Sequence, residues 1–190
     1  AEAAGVSANV VIQGKTGPEG KLPIDIQGTL ADVGTAARAD AKGISGGSGY
    51  DAIEASGTVS ANATASDLGV ALAAELISEA EKGVVIGGTA VSASTLAEAS
   101  AAGIDSGSDS DLVRSSASVD ATATATAVSA SVSLVAQGAK SKAAGLGASL
   151  ADASSAADAN ATGIDSGDGC DLVFNEGDIV ATADANAIAA

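Results

Sequence analysis

The sequence predicts an all-β chain, a repetitive β-solenoid-like stack with about 60 residues per repeat. Three observations predict it. One segment recurs at a fixed interval without gaps. Small apolar and polar residues alternate over long runs. The composition offers almost nothing large to bury.

The repeat is read first, because it decides the rest. Gly43-Ile44-Ser45-Gly46-Gly47-Ser48-Gly49-Tyr50-Asp51 returns as Gly103-Ile104-Asp105-Ser106-Gly107-Ser108-Asp109-Ser110-Asp111. It returns again as Gly163-Ile164-Asp165-Ser166-Gly167-Asp168-Gly169-Cys170-Asp171. Each copy lies 60 residues after the last. Residues 1–190 then form one array: a partial repeat 1–42, full repeats 43–102 and 103–162, and a partial repeat 163–190. Val59, Val119 and Ile179 correspond, and an ungapped repeat predicts that they stack in one column.

Alternation identifies the elements as strands. Val119-Asp120-Ala121-Thr122-Ala123-Thr124-Ala125-Thr126-Ala127 puts Ala and Val on one face, and Ile179 to Ala187 repeats the pattern. A helical reading of Leu72 to Lys82 fails on the aligned first copy, which holds Gly14, Gly17, Pro18 and Gly20. The apolar parity then changes, from odd positions up to Ala65, Ala127 and Ala187 to even positions at Leu68, Val128 and Ile188. A bulge or corner is expected there. A second is expected between Ala90 and Thr95, giving about four strands per repeat. Sharp turns are expected at the Gly/Asp segment and around 14–21, 75–83 and 137–143. A long antiparallel β-meander is the alternative architecture.

Composition bounds the function. The chain has one Phe, one Tyr and no His, Met or Trp, so Ala and Val must fill the space between close layers. A net charge of −16 suggests disorder, but a mean hydropathy of +0.33 and regularly placed Val, Ile and Leu oppose it. No cationic surface is available for nucleic acid. No apolar run reaches the ~18 residues that read as a membrane span. The usual acid, base and nucleophile sets are missing, so no enzyme is expected.

The Gly/Asp segment carries the most chemistry. Gly46 to Glu54 fits the nonapeptide G-G-x-G-x-D-x-U-x at every fixed position. This resembles the calcium-binding repeat of secreted RTX proteins. The third copy keeps Gly167, Gly169, Asp171 and Val173, and departs at Ser166. The second keeps Gly107, Asp111 and Val113, and departs at Ser106 and Asp109. The longer pattern, with its Ala/Thr run, resembles repeats of very large bacterial surface proteins. The resemblance implies an extracellular or cell-surface protein with calcium held at Asp51, Asp111 and Asp171, helped by Asp105 and Asp165. The residues agree: calcium takes six to eight hard oxygens, and Gly47, Gly49, Gly107, Gly167 and Gly169 suit a turn that exposes carbonyls. Successive nonapeptides here recur once per repeat, so neighbouring coils must supply each half-site. A Gly/Asp turn without metal is the alternative.

Other features are weaker. Thr122, Thr124 and Thr126 resemble an ice-binding row, but Asn62, Ser66, Asp184 and Asn186 interrupt it in the aligned copies. Asn62-Ala63-Thr64 and Asn160-Ala161-Thr162 are glycosylation sequons. Cys170 is a lone cysteine at a free position of the nonapeptide. Lys15, Lys21, Lys82, Lys140 and Lys142 gather at the second turn, opposite the acidic one. Both ends fall mid-repeat, with Ala1 and Ala3 expected in the columns of Ala181 and Ala183. The expected function is a structural extracellular fibre, sheath or matrix whose partner is itself, end to end. The alternative is the stalk of a large secreted adhesin.

Overall fold

Runs of Ala, Val, Ser and Thr favour extended backbone only where neighbouring strands complete the hydrogen bonding, and here the neighbours are the repeats themselves. A computed structural model describes residues 1–16, 24–78, 84–137 and 144–190. It shows an all-β chain of long parallel strands: β1 (Glu2–Thr16), β2 (Ile24–Ser45), β3 (Ala52–Ala55), β4 (Thr58–Ser78) and β5 (Val84–Asp105). They are followed by β6 (Leu112–Ser115), β7 (Ser118–Gln137), β8 (Ala144–Asp165), β9 (Leu172–Asn175) and β10 (Ile179–Ala189). Strands β1-β4-β7-β10 form one sheet, β2-β5-β8 a second and the short β3-β6-β9 a third. Every strand pairing is parallel, so the antiparallel meander does not describe the chain. Val59, Val119 and Ile179 stack as expected.

The two long sheets face each other, and small side chains fill the gap. Ala61, Ala63, Ala65, Ala121, Ala123 and Ala125 meet Ala37, Ala39, Ala97, Ala99 and Ala101 in one buried cluster. Where the short sheet closes the end of the coil, larger residues enter. Ile104, Val113 and Val119 are completely buried there, with Ile53 and Val59 beside them. Farther along, Ala31, Val33, Ala71, Ala73, Val91 and Ala93 form a third cluster. Hydroxyls cross between the sheets as well. Thr95 Oγ1 donates to Ser155 Oγ at 3.1 Å, which lies 2.8 Å from Ser129 Oγ and donates to Ile188 O at 2.6 Å.

Four sequence expectations are corrected. First, no bulge interrupts the long strands. The register runs unbroken from Thr58↔Ser118 to Ile77↔Gln137, and from Ile24↔Val84 to Lys42↔Ala102. Odd positions therefore stay inward throughout β4. Asp67 and Glu75 are buried, whereas Leu68 is 40 % exposed. A ladder fixes parity, and a change would have to break it at the same place in every layer.

Second, parity does change, but at Gly43, Gly103 and Gly163. The ladder omits the Gly43–Gly103 pair and resumes at Ile44↔Ile104, and burial passes from odd Ala101 to even Ile104 and Ser106. A Cβ at Gly103 would collide with Val119 Cγ1, so only glycine fits this corner. Third, a copy contributes two long strands and one short one, not four. Fourth, β1 is displaced: Ala3 pairs with Ala65, and Thr64 N–H donates to Ala1 O at 2.9 Å. Ala1 and Ala3 thus miss the columns of Ala181 and Ala183, which pair with Ala121 and Ala123. The reason is a longer connection: residues 17–23 join β1 to β2, against 79–83 between β4 and β5. The turns around 14–21, 75–83 and 137–143, with Lys21, Lys82, Lys140 and Lys142, lie mostly outside the described residues. Among the described residues no helix is long and apolar enough to cross a membrane.

Candidate functional site: the Gly/Asp turn

The turn connects the second sheet to the third, and it stacks as the strands do. Gly46 N–H donates to Asp105 O at 2.8 Å, and Ser106 N–H to Asp165 O at 2.9 Å. Ser48, Ser108 and Asp168 form a column of parallel bridges, with Ser108 N–H donating to Gly47 O at 2.9 Å. Serine at 106 and 166, where the nonapeptide has glycine, adds a rung: Ser106 Oγ donates to Ser166 O at 2.8 Å.

Glycine is required here for two reasons at once. Gly47, Gly49, Gly107, Gly167 and Gly169 all have positive φ. At Gly107, with φ of 101°, a Cβ would also strike the Gly47 carbonyl of the adjacent turn. Asp109 holds the same left-handed conformation, φ 81°, where the other copies have Gly49 and Gly169. Asp tolerates this region better than most residues, and its Oδ2 accepts the Gly49 N–H at 3.1 Å.

The structure brings Asp51, Asp111 and Asp171 together in one column. Asp51 N–H donates to Asp111 Oδ1, and Asp111 N–H to Asp171 Oδ1, both at 2.9 Å. Each carboxylate thus clamps the backbone of the turn before it. The second oxygens, Asp51 Oδ2 and Asp111 Oδ2, are buried without a hydrogen-bond partner. Asp105 and Asp165 are engaged elsewhere. Asp105 forms an ion pair with Lys42, and Asp165 Oδ1 accepts its own turn's Gly167 N–H at 3.1 Å. The hydrogen bond to Asp105, and then its charge, raise the Lys42 pKa above its ordinary value.

Partnerless carboxylate oxygens in a column of like charge suit a divalent cation in their chemistry. Among the described residues, however, no group of three or more acidic, His or Cys side chains gathers closely enough to hold a metal ion. Compared with known proteins, the chain matches no family model, no curated protein and no solved structure. The site therefore has to be read from its own geometry.

Sequence reasoning missed three participants. Asp67 lies inside β4, with Oδ2 accepting the Leu96 N–H at 3.0 Å and Oδ1 partnerless. Glu75 is 2 % exposed, with both oxygens partnerless among the described residues. Lys42 is the third. None recurs at its aligned positions, so the repeat carried no signal for them. Beside the turn, the outer face of the short sheet forms a groove lined by Glu54, Arg114, Phe174 and Glu176, with the Arg114 guanidinium 5.8 Å from the Phe174 ring centre.

Proposed function

We propose that the chain is a structural module of an extracellular fibre, sheath or matrix: a β-solenoid with one ~60-residue repeat per coil, calcium-stabilised at the turn, that continues end to end. One observation carries the reading. Every coil is held to the next by the same parallel register, so a further repeat can pair with an outer strand just as the repeats pair with each other. At one edge of the stack stand β1, β2 and β3, and at the other β10, β8 and β9, each paired on one side only within the chain. Open parallel edges recruit strands, and a head-to-tail contact does not close on itself. The role is mechanical rather than catalytic. Calcium would be held by Asp51, Asp111 and Asp171, where it would replace carboxylate repulsion with shared coordination.

A second reading, the stalk segment of a large secreted adhesin, is favoured by the same register acting within one chain: the further repeats would then be covalently continuous. Electron micrographs of the purified chain with millimolar calcium test the choice. The fibre reading expects filaments whose length grows with protein concentration. Dispersed single particles at high concentration would remove end-to-end assembly and leave the stalk.

A further inference from the structure

The uninterrupted parity of the four-stranded sheet has a consequence on its outer surface. The register that carries Asp67 and Glu75 inward carries the apolar residues of the same stretch outward. Val6, Leu68, Val128 and Ile188 form one column across the sheet. Ala8, Val70, Ala130 and Ala190 run beside the first column, and Val10, Leu72 and Val132 form the third. Val6 is 76 % exposed, Val10 59 % and Val132 54 %. Ile12 and Leu134 extend the surface, at 69 % and 58 %. No charged side chain stands in these columns, on a chain with a formal charge of −16.

We propose that this face is a lateral interface, and that its occupant is a second copy of the same chain packed sheet against sheet. Three arguments select that partner. The first is charge. Two copies that repel through −16 each can approach at low electrostatic cost only where neither presents a charge, and this face meets that condition on both sides. The second is relief. The columns alternate large, small, large, so the face is ridged. Facing copies offset by one column seat the ridge of Val6, Leu68, Val128 and Ile188 in the partner's shallow groove of Ala8, Val70 and Ala130. That contact is self-complementary, as a two-fold interface requires.

The third argument is area. Four columns at about 6.6 Å by four strands at about 4.8 Å cover roughly 500 Å² per copy, hence about 1,000 Å² in a dimer. That stands at the lower limit for a specific interface. Each added coil contributes about 250 Å² more. The contact is marginal for this chain and becomes firm in a longer stack, which makes lateral pairing a property of the assembled fibre. The outer face of the three-stranded sheet offers less: Leu30 and Leu150 are exposed there, but Asp32 and Asp152 stand in the next outward column of the same strands.

The test compares the chain with Val132→Lys and, as a control on the opposite face, Leu30→Lys. Both positions point to solvent, and circular dichroism and thermal melts verify that each variant folds. Sedimentation equilibrium over a concentration series gives the self-association constant, and micrographs give filament width. The proposal expects self-association of the parent chain or filaments two stacks wide. It expects at least a tenfold weaker lateral association, or single-width filaments, for Val132→Lys, and parental behaviour for Leu30→Lys. Single-width filaments of the parent chain would overturn it while leaving end-to-end growth intact. Dimers that never elongate and are broken by Val132→Lys would support it while removing end-to-end growth. Equal weakening by Leu30→Lys, or none by Val132→Lys, would also overturn it.

Discussion

Residues at the turn act through backbone geometry more than through side-chain bulk. Gly107 sits at φ 101°, and its α-carbon faces the Gly47 carbonyl one layer away. Alanine there meets two penalties: left-handed backbone strain, and a collision with a main-chain oxygen that cannot rotate aside. Gly107→Ala should cost about 3 kcal/mol or more, lowering the midpoint of a urea melt. A midpoint within error of the parent would mean that the turn relaxes freely. The Asp column shows why the Gly/Asp pattern was legible while its chemistry was only half so. Asp51, Asp111 and Asp171 were picked out by their recurrence. Their partners were not, because an N–H in the adjacent layer leaves no mark on the sequence. Lys42 with Asp105 is a local addition. Because the pair raises the lysine's pKa, its contribution is present at neutral pH and is lost only as pH rises through the raised value, above 10.5.

At the scale of the strand, parity is the controlling quantity. Read alone, Leu68, Val70 and Leu72 argue for a bulge that turns them inward. The ladder overrules them, because twenty consecutive paired residues of β4 and β7 leave no place for the phase to change. Its cost is visible at Glu75, buried with both oxygens partnerless in a column whose other members are Gln13 and Val135. Glu75→Val copies the residue of the next layer and removes a buried uncompensated carboxylate. A stabilisation of about 1–4 kcal/mol is expected, read as a rise in Tm of at least about 3 °C. A fall in Tm would show that the carboxylate has a favourable partner. The true change of phase, at Gly43, Gly103 and Gly163, was present in the sequence as Ala101-Ala102-Gly103-Ile104, where apolar positions pass from odd to even at a glycine. Leucines three residues past the last inward alanine drew attention away from it.

For the whole molecule, stability is a sum over layers, each coupled to its neighbours through two long ladders and a turn. A cation bridging turn to turn would act on every layer at once. Chelation should therefore lower Tm, by about 5–10 °C for a ligand at a hundred times its dissociation constant. An unchanged melt in excess chelator would assign the column's cohesion to its backbone-to-carboxylate bonds alone. The outer layers have one neighbour instead of two, and side chains of β9 and β10 are exposed accordingly. Melts of longer arrays would lose this end effect in proportion.

The sequence by itself determined the repeat length, the β character, the Ala-lined interior and the composition of the turn. Each is written in periodicity: 60 residues between copies, two residues between inward side chains. Only the tertiary structure decided which way the ambiguous half of each long strand faces, where the chain bends, and that the first strand is shifted by two residues. The physical reason is shared. Local pattern states a preference for each residue separately, whereas a parallel ladder imposes one register on all of them. Where the two disagree the ladder prevails, leaving carboxylates inside and an uncharged, ridged face outside.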